Sequence, residues 1–470
     1  MNLILFERAI FRFYRSHLSV LFAFLSERPS KPTRLVSMPM IWAAAILLPS
    51  WFGAPSLRAA YSYESVIDDS GALTNFFEAP SINSSGEVAF QGQYDGSDQG
   101  IFKVSKGRLI EIARGDRSFF TSFGQGGHTP INASGRVGFM GNLTTSTSGI
   151  FTGTGDGAPL TKIVVGKEIS ALFPITLPLA MNEAGHVAFT ARQHGVYSIY
   201  IGDGEGLRPV ISTDQSEFDL LGEIVAINSA DLVAFSGFVR GGGGNGVYVA
   251  TSASHSPVAL STGIFANFSS PYLSINSSGM VAFGATLDGA VVGGVWRGTP
   301  TEVAPVAVGS PYASFKRVAI NASGQVAFYA GLQTSAYGIY TGSNAITDKV
   351  IQLGDTLFGA VLEDVVFGEN GLNDLGQVSF AYRLRNGRYG VAVATPLGIR
   401  IVSIREITND SVELNVQGLP GAVHRVLAAD RVNGSYNSVG TVNAGVDGKF
   451  QFVHTGGGGL PGRYYRVESP

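Results

Sequence analysis

One nine-residue phrase, written seven times, limits what this chain can fold into more than any other feature. Ile82-Asn83-Ser84-Ser85-Gly86-Glu87-Val88-Ala89-Phe90 returns with its asparagine at Asn132, Asn182, Asn228, Asn276, Asn321 and Asn373, at intervals of 49, 50, 46, 48, 45 and 52 residues. Valine stands five residues after every Asn (Val88, Val137, Val187, Val233, Val281, Val326, Val378) and phenylalanine seven after (Phe90, Phe139, Phe189, Phe235, Phe283, Phe328, Phe380). An Asn followed three residues later by Gly suits a type I turn with a left-handed residue after it: the amide side chain caps the turn and Gly takes positive φ without a Cβ penalty. The fourth copy carries Asp231 at the glycine position, and Asp is among the few residues that tolerate that region.

After the turn, Val and Phe point to one face of a strand and the residue between them to the other. That middle residue is small in every copy: Ala89, Gly138, Ala188, Ala234, Ala282, Ala327 and Ser379. A strand apolar on both faces, large on one and small on the other, fits a sheet packed between two neighbouring sheets. Ten to twelve residues beyond each Phe comes a second strand, as in Gly100-Ile101-Phe102 or Gly294-Val295-Trp296. Each unit thus offers four strands: a ending at the Asn, b with Val-Ala-Phe, c with the Ile-aromatic pair, and d, as at Leu109–Ala113 or Lys349–Leu353. Four strands in about 45 residues is the arithmetic of a propeller blade, and seven units lie within the propeller range; a β-helix coil is usually much shorter. The fold expected is all-β: a seven-bladed β-propeller over 61–397, followed by a small C-terminal β-sandwich over 398–470. Tyr63 to Ile67 reads as a stray d strand that pairs with the last unit, leaving no open sheet edge.

These repeats resemble the bacterial secreted tandem-repeat proteins defined by an N-x-x-G-x-x-A-F signature and found with varied C-terminal anchors. The likeness spans about Tyr61 to Leu397. The strand-turn-strand core is also similar to TolB-type propeller repeats, with Asn in place of their Pro-Asp. The resemblance implies a secreted or surface location and no established activity. At the C-terminus, alternating strands at Val412–Val416, Val423–Leu427, Val439–Val442 and Phe450–Val453, with Asp447-Gly448 as a hairpin turn, predict the sandwich. Its ending, Tyr464-Tyr465-Arg466, resembles terminal modules of secreted bacterial proteins, which implies attachment or sorting by analogy.

Residues 1–60 read as an N-terminal extension and signal peptide: Arg28, Lys31 and Arg34 precede an apolar run from Met40 to Leu48, and small residues at Ala59 and Ala60 offer a cleavage site. The run is too short to span a bilayer, so no transmembrane anchor is expected after cleavage. Met1, Met38 and Met40 all remain open as the start. The chain holds 32 Lys and Arg against 35 Asp and Glu; the first sixty residues take seven and two of these, leaving 25 against 33, a net of −8 that does not attract nucleic acid. With no cysteine, neither disulfides nor thiolate metal sites contribute.

No phosphate loop, zincin helix, EF-hand loop or Gly-x-Ser-x-Gly elbow occurs, so no catalytic, cofactor or metal residue is expected. The seven histidines lack metal-ligand spacing, the Gly-Asp-Gly segments at 155–157 and 202–204 read as turns, and Gly241 to Gly244 as a flexible loop. If the ring binds a ligand, the b–c and d–a loops form the face opposite the Asn turns, where Arg192, His194, Arg240, Arg383 and Arg385 are the candidates, beside Asp95, Asp98 and Asp288. Trp296, on a c strand, is a poor platform for a glycan. The function expected is a non-enzymatic, monomeric binding or scaffold module for an unknown extracellular protein or glycan. The alternative is a sialidase- or lyase-like enzyme acting on extracellular glycans; a cluster of arginines and carboxylates converging on a central channel would mark it, although the Ser-x-Asp-x-Gly-x-x-Trp box of sialidases is absent.

Overall fold

The computed structural model describes residues 61–76, 78–96, 98–124, 129–166, 179–268, 272–418, 423–432, 434–445, 448–457 and 463–468, with the side chain of Arg400 left aside. All of them belong to one compact unit, Pro55–Pro470. The expected signal peptide, Ala59, Ala60 and the three candidate start methionines lie outside the described residues.

Each Asn-x-x-Gly turn forms as its chemistry requires. Asn83 Oδ1 accepts from the N–H groups of Ser85 at 3.1 Å and Glu87 at 2.9 Å, and Asn373 does the same for Leu375 and Gln377 at 3.1 and 2.9 Å. The six glycines sit at φ between 73° and 85°, and Asp231 at 58°. On either side of the turns, antiparallel strands assemble into seven sheets of four or five strands, one per repeat. In sheet 4 the order is Phe218–Ile227, Val233–Val239, Asn245–Ala250, His255–Leu260, from first strand to last.

Sheet 7 lacks a last strand of its own, and Tyr61–Asp68 takes the place, pairing antiparallel with Tyr389–Pro396 from Tyr61↔Pro396 to Asp68↔Gly390. Every d strand carries an extra residue opposite the Ile-aromatic pair of its c strand: Ile112, Ile163, Val210, Val258, Val306 and Val350 each fall in a register shift. The N-terminal strand repeats this bulge at Val66, so it is a true seventh d strand.

Packing between sheets explains the small residue of each b strand. Seven apolar clusters form, each joining the small face of one sheet to the Val-Phe face of the next. In one, Ala180, Ala188, Ile199 and Ile201 of sheet 3 meet Phe218, Val233, Phe235 and Tyr248 of sheet 4. In the closing one, Ala381, Val391 and Val393 of sheet 7 meet Leu73, Val88, Phe90 and Phe102 of sheet 1. The sheets therefore stand in a closed β-propeller ring, and a larger residue at Ala89 or Ala234, both fully buried, would push two sheets apart. In sheets 1 to 4 the b-strand Phe stacks on the c-strand aromatic, as Phe235 on Tyr248 at 5.6 Å and 22°. A third ring from the a strand meets the pair edge-on, as Phe218 meets Tyr248 at 4.8 Å and 79°.

After Pro396 the chain forms two three-stranded sheets, one of Arg400–Thr408, Ser411–Gln417 and Lys449–Thr455, the other of Asn437–Asn443, Val423–Ala429 and Tyr464–Glu468. Val412, Leu414, Val416 and Val426 form their shared core, with Phe450, Phe452 and Val467 packed against it. The strands at 400–408 and 464–468 go beyond the four read from sequence. Alternation is obscured in the first by two register shifts and in the second by its short length.

Candidate functional site

The Asn side chains do more than cap their own turns. Each Nδ2 donates to a main-chain carbonyl of the next turn: Asn83 to Asn132 at 2.9 Å, Asn182 to Asn228 at 3.0 Å, Asn228 to Asn276 at 3.2 Å, Asn276 to Asn321 and Asn321 to Asn373 at 3.1 Å, and Asn373 back to Asn83 at 3.0 Å. Asn132 reaches one residue further, to the Glu183 carbonyl at 3.1 Å. All seven are at most 6% exposed, so each bond is made away from water and is costly to lose.

Inside this ring lies a cavity of about 240 Å³ that residues from all seven sheets line, which places it on the axis. The residues before the asparagines (Ile82, Ile131, Met181, Ile227, Ile275, Ile320 and Leu372) make an apolar collar. Residues after them (Ser84, Glu183, Ser229, Ser277, Ala322 and Asp374) make a rim that is polar at every side chain but Ala322. Two rim carboxylates seat on main-chain N–H groups of the preceding turn: Glu183 Oε2 accepts from Ala133 at 2.7 Å, and Asp374 Oδ1 from Ala322 at 2.8 Å. Ser84 Oγ donates to Asp374 Oδ2 at 3.2 Å.

The floor is a plug that the sequence reading missed. A turn in the seventh repeat, closed by Gly371 N–H to the Gly368 carbonyl at 3.0 Å, reaches into the axis. The Asn370 carbonyl accepts from Ile82 N–H of sheet 1 at 3.0 Å, and the Glu369 carbonyl from Ser274 Oγ of sheet 5 at 3.3 Å. The buried Glu369 carboxylate lies 3.6 Å from Arg317 of sheet 6, whose guanidinium also covers the Tyr272 ring at 4.7 Å. The one signal available was the 52-residue spacing before Asn373, the longest of the six. Among the described residues the axis thus brings together three carboxylates, Glu183, Glu369 and Asp374, of which Glu369 faces Arg317.

The predicted loop-face residues are spread over sheets 3, 4 and 7 (Arg192, His194, Arg240, Arg383, Arg385) and the b–c loops of sheets 1 and 5 (Asp95, Asp98, Asp288), and no described bond joins any two of them. Arg192 is exposed over the Tyr197 ring at 5.2 Å, and His194 is exposed at φ 51° in a turn. Arg240 is committed to its own sheet, to Asp219 at 2.9 Å and the Thr213 carbonyl at 2.8 Å. Arg383 pairs with Glu363 at 3.3 Å, and Arg385 is exposed. Trp296 is 6% exposed inside sheet 5, donating to the Ala285 carbonyl at 3.3 Å.

Asp231 proves to be a hub as well as a tolerated exception. It accepts from Asn182 Nδ2 at 2.8 Å and Arg208 at 2.6 Å and lies 2.9 Å from His186 Nδ1, tying sheet 3 to sheet 4. Burial pushes its carboxyl up, but the His186 and Arg208 bonds outweigh that and hold it below the usual range. Among the described residues no group of three or more His, Asp or Glu could hold a metal ion, and no helix is long and apolar enough to cross a membrane.

Among solved structures the chain is similar to TolB from Acinetobacter baumannii at 14% identity, covering 65% of this chain and 79% of that one with a TM-score of 0.34. It is also similar to YCF48 from Cyanidioschyzon merolae at 12% identity, covering 71% and 98% with a TM-score of 0.37. A third is the β-propeller domain of the trilobed protease from Pyrococcus furiosus, at 11% identity, 57% and 95% coverage and a TM-score of 0.31. No curated protein matches. Residues 82–387, the span of the seven repeats, match the family described as "Family of unknown function (DUF7453)", and the chain belongs to that family.

Proposed function

We propose that this chain is an exported, non-enzymatic binding or scaffold module: a seven-bladed propeller over 61–397 carrying a small β-sandwich over 398–470, delivered outside the cell by the first sixty residues. The observation that carries this reading is how the repeat uses its residues. The seven Asn amides hold the ring, and the Val, small and Phe positions fill the junctions between sheets. The repeated part is therefore a frame, and the positions that vary between copies are left for recognition. The C-terminal module is the part suited to surface attachment, as in the anchor-bearing proteins these repeats resemble.

Fractionation of cells expressing the full chain, with binding to arrays of extracellular polysaccharides and surface proteins, tests this. The expected result is the mature chain outside the cytoplasm, bound saturably to at least one surface polymer that it leaves chemically intact. Cytoplasmic retention overturns the location, and turnover of the bound polymer overturns the non-enzymatic role.

A further inference from the structure

The bowl on the Asn-turn face has the chemistry of a site, and its donors and acceptors narrow what it takes. Of its charged lining residues, Glu183, Glu369 and Asp374 are all acidic, so an anion is repelled. A bare ammonium group is a poor match for a different reason: it has only donors, while the rim also presents donors. The hydroxyls of Ser229 and Ser277 line the bowl, and their main-chain N–H groups make none of the described hydrogen bonds. The equivalent N–H groups at Ala133 and Ala322 each hold a carboxylate oxygen, so this position in the turn is a working donor site. A ligand that donates and accepts at neighbouring atoms satisfies both sets. The apolar collar of Ile227, Ile275 and Ile320 beneath this sector offers a surface for C–H groups. The volume, about 240 Å³, is below the roughly 300 Å³ at which drug-sized pockets begin, and a plug closes the floor, so one ring enters and a chain cannot thread.

We propose that this axial bowl binds a single neutral, polyhydroxylated ring: the terminal sugar of an extracellular glycan. Its hydroxyls accept from Ser229 and Ser277 and donate to the carboxylate of Glu183. This rests on the binding-module reading and moves the site from the loop face to the opposite face.

The probes are neutral methyl glycosides of glucose, galactose, mannose, xylose and N-acetylglucosamine, with methyl glucuronide and cadaverine as anionic and cationic controls, titrated by ligand-observed NMR against the full exported chain. At least one neutral glycoside should bind in the millimolar range, about 1 mM, as expected for so few contacts. Ser277→Phe, which fills the bowl from an exposed position, should weaken it at least about tenfold, and Arg385→Ala, on the opposite face, should change it less than about threefold. Unchanged melting temperature shows that both variants fold. Binding that ignores Ser277→Phe, binding of cadaverine or the glucuronide alone, or silence of every probe overturns the axial site. The polymer arrays test the broader reading separately, since a chain that holds a surface polymer with its bowl filled is still a binding module.

Discussion

The two faces of the ring are built by opposite rules. On the Asn-turn face every repeat writes the same Asn, and each of these side chains is committed to the main chain of the next turn in an unbroken circuit. On the loop face the charged candidates do not recur from copy to copy: Arg240 is tied to Asp219, Arg383 to Glu363, and Arg192 and Arg385 stand in solvent. A cyclic set of contacts needs equal links, so the face that closes the ring must be uniform, and only non-repeated positions, including the rim residue after each Asn, are free to differ. The difference teaches that repetition here marks structure, and that recognition is to be sought where copies disagree.

The contrast is broken most severely at the closing link. Deleting Tyr61–Asp68 removes the outer strand of sheet 7, with Tyr61 from its core and the Tyr63 hydroxyl bond to the Val350 carbonyl at 2.5 Å. The loss should exceed about 5 kcal/mol, enough to abolish a cooperative melting transition. Asn373→Ala keeps the strand but opens the circuit: the buried-turn N–H groups of Leu375 and Gln377 lose their acceptor, and the Asn83 carbonyl keeps only its bond from Gly86 N–H. Urea unfolding should show a loss of about 2–4 kcal/mol with m unchanged. Ala234→Leu, at a junction with no room for it, should cost about 1–3 kcal/mol by the same assay.

The Asp231 hub gives a smaller, pH-dependent effect. Asp231→Ala loses the bonds to Asn182, His186 and Arg208 and keeps the left-handed backbone, so about 1–2 kcal/mol should go. Asp231→Gly relieves the backbone and should lose less. The folded carboxyl sits below its usual range, so its contribution is complete above the unfolded value, near 4, and fades as pH falls through the folded one. The gap between wild type and Asp231→Ala should therefore narrow toward pH 3; a gap that widens in acid contradicts the assignment. On the loop face, Arg385→Ala should move stability by no more than about 0.5 kcal/mol, since its side chain is exposed.

How far these features could be read in advance follows the same divide. The turns, the Val-small-Phe strands and the N-terminal closing strand were legible because each depends on local stereochemistry or on a pattern of period two. The rim and plug were not. Ser229 and Ser277 look like filler inside a turn until the ring brings seven turns together, and Arg317 and Glu369 are 52 residues apart in the chain. The d-strand bulges escaped because one extra apolar residue reads as continued alternation until pairing shows it to be unpaired. Asp231 was recognised for its backbone and not for its partners, which come from another repeat.

The central claim, that the first and last strands of the ring meet in one seventh sheet, has a direct test because the chain contains no cysteine. Ser62 and Thr395 are pairing partners 333 residues apart, and both are accessible. In the Ser62→Cys, Thr395→Cys double variant, mild oxidation should give one intramolecular disulfide in a monomer, with a raised melting temperature. Two thiols that stay free, or that join only between chains, would contradict the closed ring.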